Sequence, residues 1–361
     1  MRFRADLKPF ADAAAAGARV AAGRTTIPIL SHVKLDAAGH SIRLTASDLD
    51  REIEIAFAAR VETPGETTVS ASALNDALRI APKGAEVAFE LGERGVTLRT
   101  GKPRYVLPVL PAADFPAMSN FGQFAAPVAL DGKTFAAELA AVMHAVSTEE
   151  TRYYLNGVYF HGTDDGLRLV ATDGHRLMRV DLPVKAGAAA AIVPSATVKA
   201  FIKIAEGATE VTLELSDRMA RLTAGSTRLV SKLIDGTFPD YGRVTPTDFT
   251  QVAIIDSQRL RDAAQRALIA CAEGRGVALD FADHRLKIDG RNTDGGEASD
   301  EVEFEREARV RIGFNARYLA EAVAALGGVK ARFNMGDPSG PAKITDAARN
   351  DRLIVLMPVR I

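Results

Sequence analysis

The chain has a single cysteine in 361 residues, which excludes an internal disulfide and any metal centre built on several thiolates. Cys271 lies in the apolar run from Ala267 to Ala272, where a small buried thiol is the expectation. No stretch of about 18 apolar residues occurs, so no membrane-spanning helix is expected. The opening MRFRADLKPF has neither the apolar segment nor the cleavage site of a secretory signal, and a soluble, cytoplasmic protein without membrane contact is expected. Missing too are a phosphate-cradling glycine loop, a nucleophile elbow and paired histidines at metal-ligand spacing. The six histidines, His32, His40, His144, His161, His175 and His284, stand singly. The chain is therefore read as no enzyme, with no metal and no cofactor. Net charge is -1, so a nucleic-acid surface would have to come from how charge is distributed.

What the chain does have is repetition. Leu30 to Asp48 (LSHVKLDAAGHSIRLTASD) and Leu155 to Asp173 (LNGVYFHGTDDGLRLVATD) agree at six of nineteen positions at a constant offset of 125. A third copy runs from Gly274 to Asn292, with Val277, Leu279, Leu286, Lys287 and Ile288 falling on Val33, Leu35, Ile42, Arg43 and Leu44. An Asp opening a helical pattern precedes each copy: Asp6, Asp131 and Asp256. A period near 120 residues is too long for a solenoid and suits a whole domain. With 47% apolar and 25% charged residues, each unit can bury a core.

Within a unit, strand, helix and strand pair are followed by a second such round. Unit one is read with a helix over Pro9–Arg24, stopped at Gly23, and another over Ser72–Ile80 capped by Ser72, with short strands His32–Leu35, Ser41–Thr45, Thr67–Val69, Glu86–Leu91, Val96–Thr100 and Arg104–Val109. Helices Ser195–Ala205 and Asn315–Leu326 are their later counterparts. Short hairpin links imply antiparallel sheets, hence an α+β fold with two helices per unit, six helices and three sheets in all. The helices carry cations, Lys8, Arg19, Arg79, Lys199, Lys203, Arg259, Arg266 and Arg317, while Asp and Glu are expected mostly in strands and loops. Lys199 and Lys203 share one helical face.

Residues special to one copy mark the candidate site. Unit two alone has Arg152-Tyr153-Tyr154-Leu155-Asn156-Gly157 and Thr172-Asp173-Gly174-His175-Arg176-Leu177. Phe238-Pro239-Asp240-Tyr241-Gly242-Arg243-Val244 leads into unit three, and the chain ends on Met357-Pro358-Val359-Arg360-Ile361. With Leu110 to Pro116 (LPAADFP), these motifs in this order resemble the bacterial DNA polymerase III β subunit family, the replication sliding clamps. The resemblance spans the whole chain.

It implies three clamp-type domains, 1–124, 125–249 and 250–361, and a head-to-tail homodimer closing into a ring around double-stranded DNA. Such a processivity factor slides without sequence readout and needs only a basic, weakly adhering inner wall. The implied DNA contacts are Arg24, Lys199, Lys203 and, by stacking, Tyr153 and Tyr154. The acidic Glu149 and Glu150 stand against a strong contact there, and none is carried over near Glu273-Gly274-Arg275, where the link is shorter. Tyr105 and Leu107 would meet Leu268 and Ile269 of a second copy. A peptide-binding pocket is implied at Leu155, Thr172, Gly174, His175, Arg176, Leu177, Pro239, Arg243, Val244, Met357, Pro358, Val359 and Arg360: aliphatic walls with a few orienting polar groups. Its ligands would be the replicative polymerase subunit, the clamp loader, other polymerases and repair proteins carrying a short motif of Gln followed by Leu and Phe. Two other readings stand beside this: an enzyme using Asp173 and His175, and a non-ring interaction scaffold of three like domains.

Overall fold

The computed structural model describes residues 1–118, 123–185, 187, 190–271, 276–291 and 295–361. The third copy's Gly274, Arg275 and Asn292, and the link at Glu273, lie outside them. The chain forms two compact bodies, Met1–Thr134 with Lys199–Leu233 and Phe135–Val198 with Ile234–Ile361. Six α-helices occur among the described residues: α1 Leu7–Val20, α2 Ala71–Arg79, α3 Gly132–Val142, α4 Ser195–Glu206, α5 Ser257–Ala270 and α6 Ala316–Leu326.

Helix starts follow the local chemistry. Asp131 accepts from the Thr134 amide at 2.8 Å and Asp256 from the Arg259 amide at 2.8 Å, each satisfying a first-turn N–H. Asp6 occupies the cap position of α1 without such a bond, and α2 is capped by Ser70 rather than Ser72. α1 ends at Val20, earlier than Arg24, with Ala21 as its cap. Alanine propensity would carry the helix on, but its buried stripe of Phe10, Ala13, Ala14, Gly17 and Val20 ends there, and the Ala22 amide already bonds the Leu30 carbonyl. Gly17 permits close packing: a Cβ there would lie 2.8 Å from Leu44 Cδ2.

All sheets are antiparallel among the described residues. In the first body, one sheet orders Arg60–Thr63, Arg2–Asp6, Glu86–Gly92, Gly95–Thr100 and Arg104–Leu107. Phe3 stacks on Phe89 at 4.7 Å and Phe10 on Phe57 at 5.0 Å in that body's core. Its second sheet orders Val128–Asp131, Glu210–Leu215, Met219–Ala224, Thr227–Lys232, Arg51–Ala58, Ser41–Ser47, His32–Ala38 and Gly65–Ser70. The other body has one twelve-stranded sheet: Ala190–Pro194, Gly157–Thr163, Gly166–Thr172, Arg176–Leu182, Arg352–Leu356, Ala342–Asp346, Lys330–Met335, Gln251–Asp256, Glu297–Glu305, Arg285–Arg291, Gly276–Ala282 and Val310–Asn315.

Three sheets were expected and three form among the described residues, yet they do not divide one per repeat. The strand after the Asp48 turn pairs with the last strand of the next repeat (Ile53 opposite Leu229), and the strand after the Asp173 turn does likewise (Leu177 opposite Val355). Strands Arg51–Ala58 and Glu297–Glu305 were not foreseen.

Candidate functional site

Thr172 to Leu177 fold into a turn held by its own side chains. The Asp173 carboxylate accepts from the amides of His175 (2.9 Å) and Arg176 (3.0 Å) and from Arg176 Nε (3.0 Å), while Thr172 Oγ1 accepts from Gly174 N and donates to the Arg176 carbonyl. Gly174 has φ +88°, the left-handed region that glycine enters freely, and a Cβ would come 2.6 Å from Arg152 Nη1. Asp173 is thereby occupied in shaping the turn, so the base-and-orienter pair imagined for an enzyme does not assemble. His175 is exposed, its ring 6.3 Å from that of Tyr318.

Beneath the turn lies an apolar cluster of Leu155, Val170, Leu177, Ile192, Phe238, Leu353 and Val355, with Tyr154, Tyr159, Ile234 and Tyr241 packed against it. Strand Arg352–Leu356 pairs beside Arg176–Leu182, so the C-terminal tail leaves next to the turn, and the Met357 amide donates to the His175 carbonyl at 2.9 Å. The tail then crosses strand Val310–Asn315: Val359 N donates to the Gly313 carbonyl, where only glycine leaves room for Ile361. Met357, Val359, Ile361 and, on the linker, Val244 are exposed apolar groups. Of the expected pocket residues, Leu155 and Leu177 belong to the buried cluster. Thr172, Gly174, His175 and Met357 meet at the turn, and Pro358 to Arg360 continue from it. Pro239, Arg243 and Val244 flank Phe238 and Tyr241, which reach the cluster. Arg243 itself pairs with Asp240 at the surface.

Arg176 was expected to face a ligand, but the structure makes it a buried strut. Only 8% exposed, its side chain bridges Asp173 and Glu321 and lies 4.1 Å over the Tyr318 ring. Burial alone would raise the Glu321 carboxyl, but hydrogen bonds from Arg317 and Arg176 hold it below the usual range. His144 sits close by; burial pushes its imidazole down, its Nδ1 lies 2.7 Å from the Ala141 carbonyl, and its Nε2 is buried without a partner among the described residues. Sequence reading missed Tyr318 and Glu321, which sit on α6 with no motif to flag them.

The other expected residues are dispersed. Arg24 is exposed beyond α1, and Lys199 and Lys203 are exposed on α4, with Lys203 paired to Glu206 at 2.8 Å. Helix acids are commoner than expected: Lys8 pairs with Asp12, Arg79 with Asp76 and Arg317 with Glu321. Tyr153 is 54% exposed, whereas Tyr154 packs on the apolar cluster, so stacking on a nucleic-acid base does not suit it. Glu149 is engaged by Arg152, which holds its carboxyl low. On the end strand Arg104–Leu107, Tyr105 is half-buried, Val106 is exposed and Leu107 belongs to its own core. On α5, Leu268 is half-buried and Ile269 is 86% exposed.

A chain of α+β repeats whose strands pair across repeat boundaries is a multi-domain repeat protein, and one of its junctions displays apolar groups. Three successive domains of the DNA polymerase III beta subunit match residues 1–119 (N-terminal), 129–240 (central) and 242–360 (C-terminal). The beta sliding clamp of Caulobacter vibrioides is 38% identical over 350 residues and that of Escherichia coli K12 34% over 346, with 94% of each chain covered. Solved clamp structures superpose along the chain: one from Caulobacter crescentus at TM-score 0.93 and 36% identity, covering all of both chains, and one from Bartonella birtlesii bound to griselimycin at 0.95 and 37%, likewise complete. The chain belongs to the DNA polymerase III beta subunit family, the sliding clamps.

Proposed function

We propose that the chain is a non-catalytic processivity factor: two copies close head to tail around duplex DNA and tether polymerases and repair proteins through a pocket at the second junction. The observation that carries the tethering is the exposed apolar set of Val244 on the linker and Met357 and Val359 on the C-terminal tail, with Leu155 and Leu177 in the buried cluster beneath the Asp173 turn. A short peptide with Leu and Phe anchors would bury those groups, and the exposed His175, with backbone groups of the turn, would orient its Gln. The clamp loader and the replicative polymerase are the partners this chemistry fits. Anisotropy of a labelled motif peptide tests it: removing Met357 to Ile361 should abolish binding and leave the oligomer intact. Unchanged affinity would reject the pocket.

Ring closure needs two complementary edges. Strand Arg104–Leu107 ends its sheet, and residues 297–303 of strand Glu297–Glu305 pair only with Arg285–Arg291 among the described residues. Each offers unpaired backbone groups, and basic Lys102 and Arg104 would meet an edge carrying Glu303, with Glu297 and Glu301 already paired to Arg291 and Arg285. We assign the protomer contact to these edges, with Tyr105 on one side and Leu268 and Ile269 on the other, and the domain divisions to 124/125 and 249/250. Ile269→Asp, fully at the surface, should give monomers in sedimentation. DNA would be met by Arg24, Lys199, Lys203 and Tyr153 through phosphate contacts that weaken steeply with salt. Retention on circular DNA and loss from linear ends would distinguish a ring from an open scaffold.

A further inference from the structure

The linker wall of the candidate pocket raises a question of support. Pro239, Arg243 and Val244 are exposed and belong to no sheet; the segment holds only a 3-10 turn over Tyr241–Val244, capped by Asp240. What fixes it to the body is a chain of aromatic and polar contacts. Phe238 stacks on Tyr159 at 4.8 Å and 5°, and Tyr159 stacks on His161 at 4.8 Å. The Tyr241 hydroxyl lies 2.8 Å from His161 Nε2 and accepts from Arg168 Nη1 at 3.2 Å. Arg168 is in turn fixed by Asp181, which also holds Arg179.

Arg168 can only donate, so the Tyr241 oxygen is an acceptor there and its own hydrogen is free for His161 Nε2. With His161 neutral and its proton on Nδ1, 3.3 Å from the Gly162 carbonyl, Nε2 accepts that hydrogen. Burial acts in the same direction, holding this imidazole below its usual range. A second proton on His161 would turn Nε2 into a donor, leave the tyrosine hydrogen without its acceptor, and set a cation facing Arg168. Asp181 is the one carboxylate in this group, and both Arg168 and Arg179 already bind it.

We propose that His161, Tyr241 and Arg168 are positioning residues that hold the Pro239 to Val244 wall in its peptide-accepting place, and that protonation of His161 releases it, making tethering acid-sensitive. The inference rests on the pocket reading above. The test uses the full chain, a fluorescein-labelled peptide with the Gln, Leu and Phe anchors, and anisotropy at pH 7.5 and 5.5. Wild type should bind about fivefold more weakly at the lower pH, and Tyr241→Phe, which keeps the ring and loses the hydroxyl, should bind about tenfold more weakly at pH 7.5, the order of one lost hydrogen bond. His161→Gln supplies an amide oxygen as acceptor but cannot take up a proton, so it should stay within about twofold of wild type at pH 7.5 and lose the acid drop assigned to His161. Wild-type affinity in Tyr241→Phe, or a full acid drop in His161→Gln, overturns the latch and leaves the pocket standing. Failure of the wild type to bind at pH 7.5 overturns both. Sedimentation and thermal melts of each variant verify that the fold is kept.

Discussion

The two junctions between repeats are built alike and present opposite chemistry. At the first, Asp48 accepts from the amides of Asp50 and Arg51 and from the Arg51 guanidinium; at the second, Asp173 accepts from His175 and Arg176 in the same scheme. The Lys232 amide donates to the Asp50 carbonyl at 2.8 Å, as Met357 does to His175 at 2.9 Å. Leu30 and Leu155 are both buried, and Phe115 in the first linker answers Phe238 in the second. The difference lies in what fills this frame. Leu177 is replaced by Glu52, whose carboxyl accepts from the Met118 amide at 2.9 Å, and Met357 is replaced by Lys232, paired with Asp50. A shared frame thus gives a sealed polar junction in one place and an open apolar one in the other.

Exchanging the distinguishing residues should show the asymmetry most strongly. Leu177→Glu places a carboxylate in the apolar floor and should cost about 3–5 kcal/mol in urea unfolding while removing peptide binding. The converse, Glu52→Leu, orphans one amide and should cost only about 1–2 kcal/mol, leaving peptide affinity unchanged. Equal costs would mean that the two floors are not equivalent positions. Next, Arg176→Ala leaves Asp173 and Glu321 without their shared partner and should cost about 3 kcal/mol, against about 1 kcal/mol for the more exposed Arg51→Ala.

Smaller effects attach to the turn backbone. Leu49 holds φ +73° where Gly174 holds +88°. Leu49→Gly should stabilise by about 1 kcal/mol by removing left-handed strain, whereas Gly174→Ala should destabilise by a similar amount and displace Arg152. Matching signs in chemical denaturation would contradict this.

The smallest effect is on pH dependence. Burial pushes the His144 imidazole down at the second junction and the Glu52 carboxyl up at the first. A depressed histidine means that the unfolded chain binds the proton first, so stability falls as pH drops through the ordinary imidazole range. A raised carboxyl means that the folded chain binds first, so stability rises as pH falls towards the ordinary carboxylate range. His144→Gln should therefore flatten the loss between pH 7.5 and 5.5, and Glu52→Gln should leave it unchanged.

Much of this was legible in the sequence. The repeat offset locates equivalent turns, and capping aspartates locate helix starts at Asp131 and Asp256. The divergent segments, with Leu155 and Leu177 among them, assemble around one apolar cluster. What stayed hidden depends on side-chain direction. Arg176 reads as a polar recognition group, but its partner Glu321 lies 145 residues on, beyond any local pattern. Tyr154 and Tyr153 are neighbours in sequence, and nothing there says that one turns to the cluster and the other to solvent. The pairing of strand Arg51–Ala58 stayed hidden because its partner, Thr227–Lys232, lies a repeat away.

That junction also sets a schedule for synthesis. Ile55 pairs with Thr227, so a ribosome adding about 5–20 residues per second leaves this strand's edge open for roughly 10–30 seconds before its partner exists. During that interval Glu52 and Glu54 stand on an unpaired edge, where charge discourages pairing with another nascent chain. The acidic residues that alternate with Ile53 and Ile55 are the ones that guard the strand while the chain waits.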